Sequence, residues 1–239
     1  MENYEGEKYY TDSEHLKQTL ERYGVAIIPE LVDKNTCKKM EELIWKHFSY
    51  ITQNWINPIR QDNPNSWKGI FELFPSHSML IQFHGVGHCE MNWEMRQDPR
   101  IVQIFAELYG CSPRDLLVSF DGLSFGLSPE TTQRGWNRHK TWFHTDQAPV
   151  RNDFECVQSW ITARPVNRGD ATLSVLESSH KYHADFEKEF QTKHKKDWYK
   201  LNPKEQNFFI EEKGCNIKNI MCPAGSLVLW DSRTIHCGI

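Results

Sequence analysis

In Trp142-Phe143-His144-Thr145-Asp146-Gln147, a histidine and an aspartate stand one residue apart. On an extended segment, residues i and i+2 project from the same face, so an imidazole nitrogen and a carboxylate oxygen converge there. That pair supplies two ligands of a 2-His-1-carboxylate facial triad, the donor set that leaves positions open on a non-haem Fe(II) ion. The third ligand has to be a second histidine from a distant strand. His236 fits, because the segment from Pro223 to His236 reads as a turn, a buried strand and a polar stretch ending in that histidine. H-x-D is also a common tripeptide. Its other reading is a hydrogen-bonded core histidine followed by a turn residue at a strand end.

Other chemistry-bearing residues are less well arranged. In His84-Gly85-Val86-Gly87-His88-Cys89 the two histidines are four apart, a spacing that serves one metal on a helix, but the glycines oppose a helix. That segment reads against a metal site and rather as a substrate-side loop. His180 and His183 read as structural. The seven cysteines are odd in number, scattered, and form no C-x-x-C pair, which argues against a zinc finger or redox dithiol. A reduced intracellular protein, cytoplasmic or otherwise, is the expectation. Lys+Arg is 28 and Asp+Glu is 32, a near balance that argues against a dedicated nucleic-acid binder or polybasic membrane anchor. The acidic, polar start is unlike a signal peptide, and apolar runs such as 227–230 are far too short to span a bilayer.

The elements that must position these residues fall into two textures. The first, about 1–113, is mainly helical. Thr11 to Glu14 has capping-box spacing, Leu16, Leu20 and Tyr23 follow at helical intervals, and Gly24 stands at a helix stop. Val25–Ile28 reads as a short buried strand. A second helix is expected from near Asp33 or Asn35 to about Ile51, a loop over 52–75, and a further helix over Pro99–Tyr109 ended by Gly110. From about 114 onward, short β-branched or aromatic runs read as strands: 116–120, 142–144, 157–162, 171–176 and 226–230. The charged stretch 181–213 reads as a helical insertion with a solvated face. Helices followed by strands indicate an α+β fold whose sheet part is a sandwich or open barrel, with 1–239 as one domain.

Four segments in order resemble the phytanoyl-CoA dioxygenase family of Fe(II)/2-oxoglutarate oxygenases. Tyr23 to Pro29 resembles its opening helix-to-strand step, and Trp142 to Gln147 its first metal motif. Gly169 to Lys181, ending in Glu177-Ser178-Ser179-His180-Lys181, resembles its G-x-L-x-V-x-x-G-S-H-K segment, and Gly225 to His236 its distal G-D-L-x-x-W-D-S-R-x-x-H segment. The resemblance covers about residues 20–239. It implies a double-stranded β-helix (a cupin-like jelly roll) with the N-terminal helices packed on one sheet. It also implies Fe(II) held by His144, Asp146 and His236, with 2-oxoglutarate and O2 as co-substrates. The implied reaction is hydroxylation of a small-molecule or lipid-like substrate with release of succinate and CO2. Trp142 shares parity with His144 and either walls the site or packs in the core. Gln133 and Asn137, just upstream, and Gln158, on the next strand, are candidate contacts for 2-oxoglutarate; solvated loop and ordinary strand surface are the other readings.

Two departures stand out. Ser178 occupies a turn position where the family usually has glycine. The family's 2-oxoglutarate anchor is an arginine on a strand beyond the distal histidine, whereas this sequence ends three residues after His236. Arg233 is no obvious replacement, since strand alternation points it away from the face of His236. The C-terminal strand therefore reads as missing. A non-catalytic metal-binding relative, or a metal-free ligand-binding jelly roll, stands as the alternative to an active dioxygenase.

Overall fold

The computed structural model describes residues 3–73, 80–127 and 141–239. The chain divides into two compact units, Met1–Leu31 with His139–Ile239, and Val32–Arg138. The first is mixed α/β and contains the metal-type residues. Its strands are β1 (Tyr4–Glu5), β2 (Val25–Ile28), β3 (His144–Thr145), β4 (Val157–Ile161), β5 (Leu173–Leu176), β6 (Tyr199–Lys200), β7 (Ile217–Ile220), β8 (Leu227–Asp231) and β9 (His236–Gly238). They form a six-stranded sheet in the order β1-β7-β5-β9-β3-β6 and a three-stranded sheet in the order β2-β8-β4.

The pattern of the strands explains the layering. β8 is flanked on both sides, antiparallel to β2 and to β4, and every residue of Leu227–Asp231 is buried. Val25, Ile27, Leu173, Val175, Ile220, Val228 and Trp230 meet in one apolar cluster drawn from both sheets. Residues of opposite parity in the large sheet, such as Phe143, Ile235 and Cys237, belong to a second cluster with Phe186, Leu201, Phe208 and Phe209. The large sheet is thus covered on both faces. Full burial of each of these phenylalanines contributes about 1.5–3 kcal/mol by area.

The second cluster adds a buried side to the helical stretch 181–213. That stretch contains helix α5 (His183–Phe190), strand β6 and helix α6 (Pro203–Asn207), which runs into a π-turn over Phe208–Glu212. Its lysines do lie mostly at the surface. Its phenylalanines, with Tyr182 and Tyr199, cover one face of the large sheet, and β6 pairs directly with β3. The charged residues dominate the composition and obscure an apolar set that packs inward. Glu205, one buried acid, closes a capping box with Asn202 and accepts a hydrogen bond from Tyr199 Oη at 2.7 Å.

Helix α1 (Leu16–Tyr23) begins later than the capping-box spacing suggests. Asp12 rather than Thr11 takes the free N–H of His15, at 2.9 Å. The helix buries Leu16 and Leu20 and ends at Gly24 with φ 77°. The carbonyl of Gly24 accepts from Asp231 N at 3.1 Å and Thr234 Oγ1 at 2.9 Å, which ties this turn to the connection between β8 and β9. Ser178 takes φ 65°, in the region that favours glycine, and is held there by bonds from its backbone N to Tyr23 O and from its Oγ to Arg22 O.

The second unit contains α2 (Lys34–Ile51), capped by Asp33, then α3 (Glu90–Gln97) and α4 (Pro99–Tyr109), capped by Asp98 and ended by Gly110 at φ 62°. Ion pairs Lys39–Glu94 and Lys46–Glu90 join α2 to α3. Trp45 packs against Phe48, Trp67 and Phe125. Two expectations fail here. Within the expected loop, Pro64–Leu73 forms a 3-10 stretch. Residues 116–120 are not a strand: Leu117 is 99% exposed, Val118 is exposed, and no ladder partner adjoins them among the described residues. Among the described residues no helix is long and apolar enough to cross a membrane.

Gly24 generates a stability prediction. A Cβ there would stand 2.6 Å from both His180 Nδ1 and Thr234 Oγ1, on a backbone at positive φ. Gly24→Ala should cost about 2–4 kcal/mol, the sum of left-handed strain and overpacking, measured by urea unfolding. An unchanged midpoint would show that the turn is not held as described.

Candidate metal centre

The ladder between β3 and β9 sets His144 directly opposite His236. Their rings lie 4.3 Å apart between centroids. Asp146 follows on the same face of its segment and brings its carboxylate between them. Its Oδ1 is 3.5 Å from His144 Nε2 and its Oδ2 is 3.1 Å from His236 Nε2. One ligand atom from each of the three residues lies within 4.8 Å of the others. Two cis ligands each about 2.1 Å from an ion are about 3.0 Å apart, so these separations fit a facial set closing on a metal.

The tautomers fit as well. His236 Nδ1 lies 2.8 Å from Thr234 O, and His144 Nδ1 lies 3.4 Å from Trp142 O. A carbonyl only accepts, so each Nδ1 is the protonated donor and each Nε2 turns a lone pair toward Asp146. Both histidines are buried, while the Asp146 side chain keeps 22% exposure. Burial lowers the pKa of His144 and keeps the imidazole neutral, the form a metal requires. For Asp146, burial alone would raise the pKa; where the imidazoles carry a proton on Nε2 as well, their hydrogen bonds and charge outweigh it and hold the carboxyl well below the usual range.

The surroundings hold this geometry. Thr145 Oγ1 donates to Ser232 O at 3.1 Å, Gln147 N donates to Ser232 O at 3.0 Å, and Ser232 Oγ donates to Gln147 Oε1 at 2.7 Å. On the distal side, Ile235 N donates to Ser179 Oγ at 2.8 Å. Arg233 forms a double contact with the Asp231 carboxylate and donates to Asn152 O, so its guanidinium is already engaged.

No protein-family model matches the chain. It is 31% identical over 163 residues to the Ava biosynthesis cluster protein O of Aspergillus versicolor; the match covers 64% of this chain and 50% of that protein. The chain thus spans about half the length of this curated relative. Among solved structures, it is similar to the epimerase SnoN in complex with Fe3+, alpha ketoglutarate and nogalamycin RO, at 12% identity and a TM-score of 0.45, over 95% of this chain and 76% of that one. It is also similar to the hypothetical protein JW0805 from Escherichia coli, at 11% identity and a TM-score of 0.47, over 97% of this chain and 67% of that one.

The other sequence-derived site residues are distributed differently. Trp142 stacks on the His144 ring at 4.6 Å and 7°, with its Nε1 donating to Gly238 O at 3.1 Å. Gln158 lies on β4 opposite Trp230, whose ring meets that of His236 at 5.5 Å. Gln133 and Asn137 lie outside the described residues. His180 is engaged with Glu21 O and His183 with Ala148 O. His88 packs against Phe120, and among the described residues the 84–89 segment joins no group of three metal-type ligands.

Sequence reasoning missed Trp198. It precedes β6, its ring lies 5.6 Å from that of His144, and its backbone N donates to Asp146 O at 3.0 Å. Its only local signal was an aromatic pair, Trp198-Tyr199, inside a run of charges.

The buried imidazoles carry a pH prediction for the metal-free chain. Burial lowers the pKa of His47, His144, His180 and His183 below 6.5. Each therefore takes a proton first in the unfolded chain, so stability is full above about pH 6.5 and falls as the pH drops below it. The slope should be about 1.4 kcal/mol per pH unit for each imidazole protonated only when unfolded. Asp146, with its lowered pKa, adds a further loss below about pH 4. Urea unfolding in the presence of a chelator checks this; a flat profile from pH 7.5 to 5.5 would contradict it.

Proposed function

We propose that this chain is an Fe(II)- and 2-oxoglutarate-dependent dioxygenase, built on a double-stranded β-helix, that hydroxylates a small-molecule or lipid-like substrate. The observation that carries the reading is the convergence of His144 Nε2, His236 Nε2 and the Asp146 carboxylate, with both Nδ1 atoms turned to backbone carbonyls. In this reading His144 and His236 give neutral nitrogen donors, and Asp146 gives the anionic oxygen that offsets part of the ion's charge. The chemistry supplied by Fe(II) with 2-oxoglutarate and O2 is oxidative decarboxylation to succinate and CO2, coupled to hydroxylation of a substrate C–H bond.

The chain's own residues then divide the remaining work. Trp142 covers one face of the His144 ring and limits water there. Trp198, 51% exposed, stands at the solvent side of the same ring and is placed to meet a substrate. Gln158 belongs to this reading as a contact for the co-substrate, on the strand opposite Trp230. The name of the curated relative, a biosynthesis cluster protein, supports a small-molecule substrate.

Succinate release from 2-oxoglutarate with Fe(II) tests the reading, wild type against Asp146→Ala. Wild type should release succinate, and Asp146→Ala should lose at least about a hundred-fold in both release and Fe(II) affinity, more than loss of an outer-shell partner costs. Fe(II) binding without succinate release would instead support the non-catalytic metal-binding relative. Absence of Fe(II) affinity in protein purified anaerobically would support a metal-free ligand-binding jelly roll.

A further inference from the structure

The register of the six-stranded sheet sets five residues in one row. Lys218 on β7 is opposite Val175 on β5, Val175 is opposite His236, His236 is opposite His144, and His144 is opposite Lys200 on β6. Directly opposed residues project from the same face. Val175 identifies that face, since it is fully buried in the cluster between the two sheets, as is Ile220, two residues from Lys218. Lys218 therefore carries its ammonium group on the face that presents the metal ligands. Two strand spacings of about 4.8 Å each separate its backbone from that of His236, most of which a lysine stem can span.

Lys218 is also uncompensated. It is half-buried, and no carboxylate pairs with it among the described residues. Glu177, the acid two residues beyond Val175 on the same strand parity, already pairs with Lys8 and accepts from Tyr9 Oη. Lys200, at the other end of the row, is exposed. A partly desolvated cation without a counter-charge is costly, and a bound anion offsets that cost. A 2-oxo diacid that chelates a metal through its C1 carboxylate and keto oxygen leaves its second carboxylate extending away from the ion. We infer that Lys218 is the counter-charge for that distal carboxylate, and that it makes this centre selective for a 2-oxo diacid over a 2-oxo monoacid. The inference rests on the 2-oxoglutarate reading above.

The test is equilibrium binding to the Mn(II)-loaded chain, by calorimetry, of 2-oxoglutarate and of 2-oxobutyrate, which keeps the chelating end and lacks the distal carboxylate. Lys218→Ala should weaken 2-oxoglutarate about ten- to a hundred-fold, the range for a hydrogen bond to a charged group, and leave 2-oxobutyrate unchanged. Lys218→Arg should keep most of the affinity, and Lys200→Ala should change neither acid. Mn(II) affinity should be the same in all four proteins, which separates anchoring from a fold defect. Equal weakening of both acids by Lys218→Ala, no weakening of either, or selective loss in Lys200→Ala would overturn the assignment. Wild type that binds Mn(II) and neither acid would overturn the 2-oxoglutarate reading together with it.

Discussion

The antiparallel pairing of β3 with β9 at His144 and His236 is the constraint on which the rest of the structure turns. These strands are short, two and three residues, and such a ladder contributes little stability by itself. Side-chain bonds supply the register that length does not. Thr145 and Gln147 hold the first motif to Ser232, Ser179 holds Ile235, and the Gly24 carbonyl takes up Thr234. A slip of one residue would move Phe143 or Cys237 to the metal face and the ligands into the outer apolar cluster. The same alternation that builds the outer core therefore aims the donors.

How much of this was legible in the sequence depends on the range of the interaction. Local features were readable. Helix α4 has the bounds its caps imply, β2 is a buried strand over the residues with strand texture, and the i, i+2 geometry of His144 and Asp146 follows from extended backbone alone. His236 was legible because a turn, an apolar strand and a histidine recur in an order resembling a known family. Trp198 was not, because its approach to His144 depends on β6 pairing with β3, a contact between segments whose local sequence does not register with each other. The run 116–120 failed in the opposite sense. Its apolar, β-prone residues satisfy strand propensity, but propensity forms no strand without a neighbour to complete the ladder. Lys218 shows a third case, since a lysine in a charged region is unremarkable until the register reveals which residues share its row.

Burial at the centre works in two directions. It disfavours protonation of His144, so the nitrogen lone pair is kept for a metal, and it would also disfavour the charge on Asp146. The second effect is overcome where the imidazoles carry a proton on Nε2 and donate it to the carboxylate. Removing either histidine therefore does more than delete a donor, because it takes away part of what keeps Asp146 ionised. The three side chains are mutually dependent before any ion arrives, which is the preorganisation expected of a built metal site.

The backbone at Trp198 shows where that preorganisation is stored. A bulky residue at φ 65° costs about 1–3 kcal/mol and persists only where the surroundings over-determine it. Here three contacts do so. Trp198 N donates to Asp146 O, the adjacent Asp197 accepts from Ala148 N and pairs with Arg151, and Tyr199–Lys200 lock into the ladder with β3. All three run to the segment that carries the first metal motif, while the side chain of Tyr199 also meets Phe186 of α5 and donates to Glu205 of α6, so the turn at Trp198 is fixed from both sides. That fixing keeps an exposed indole beside His144.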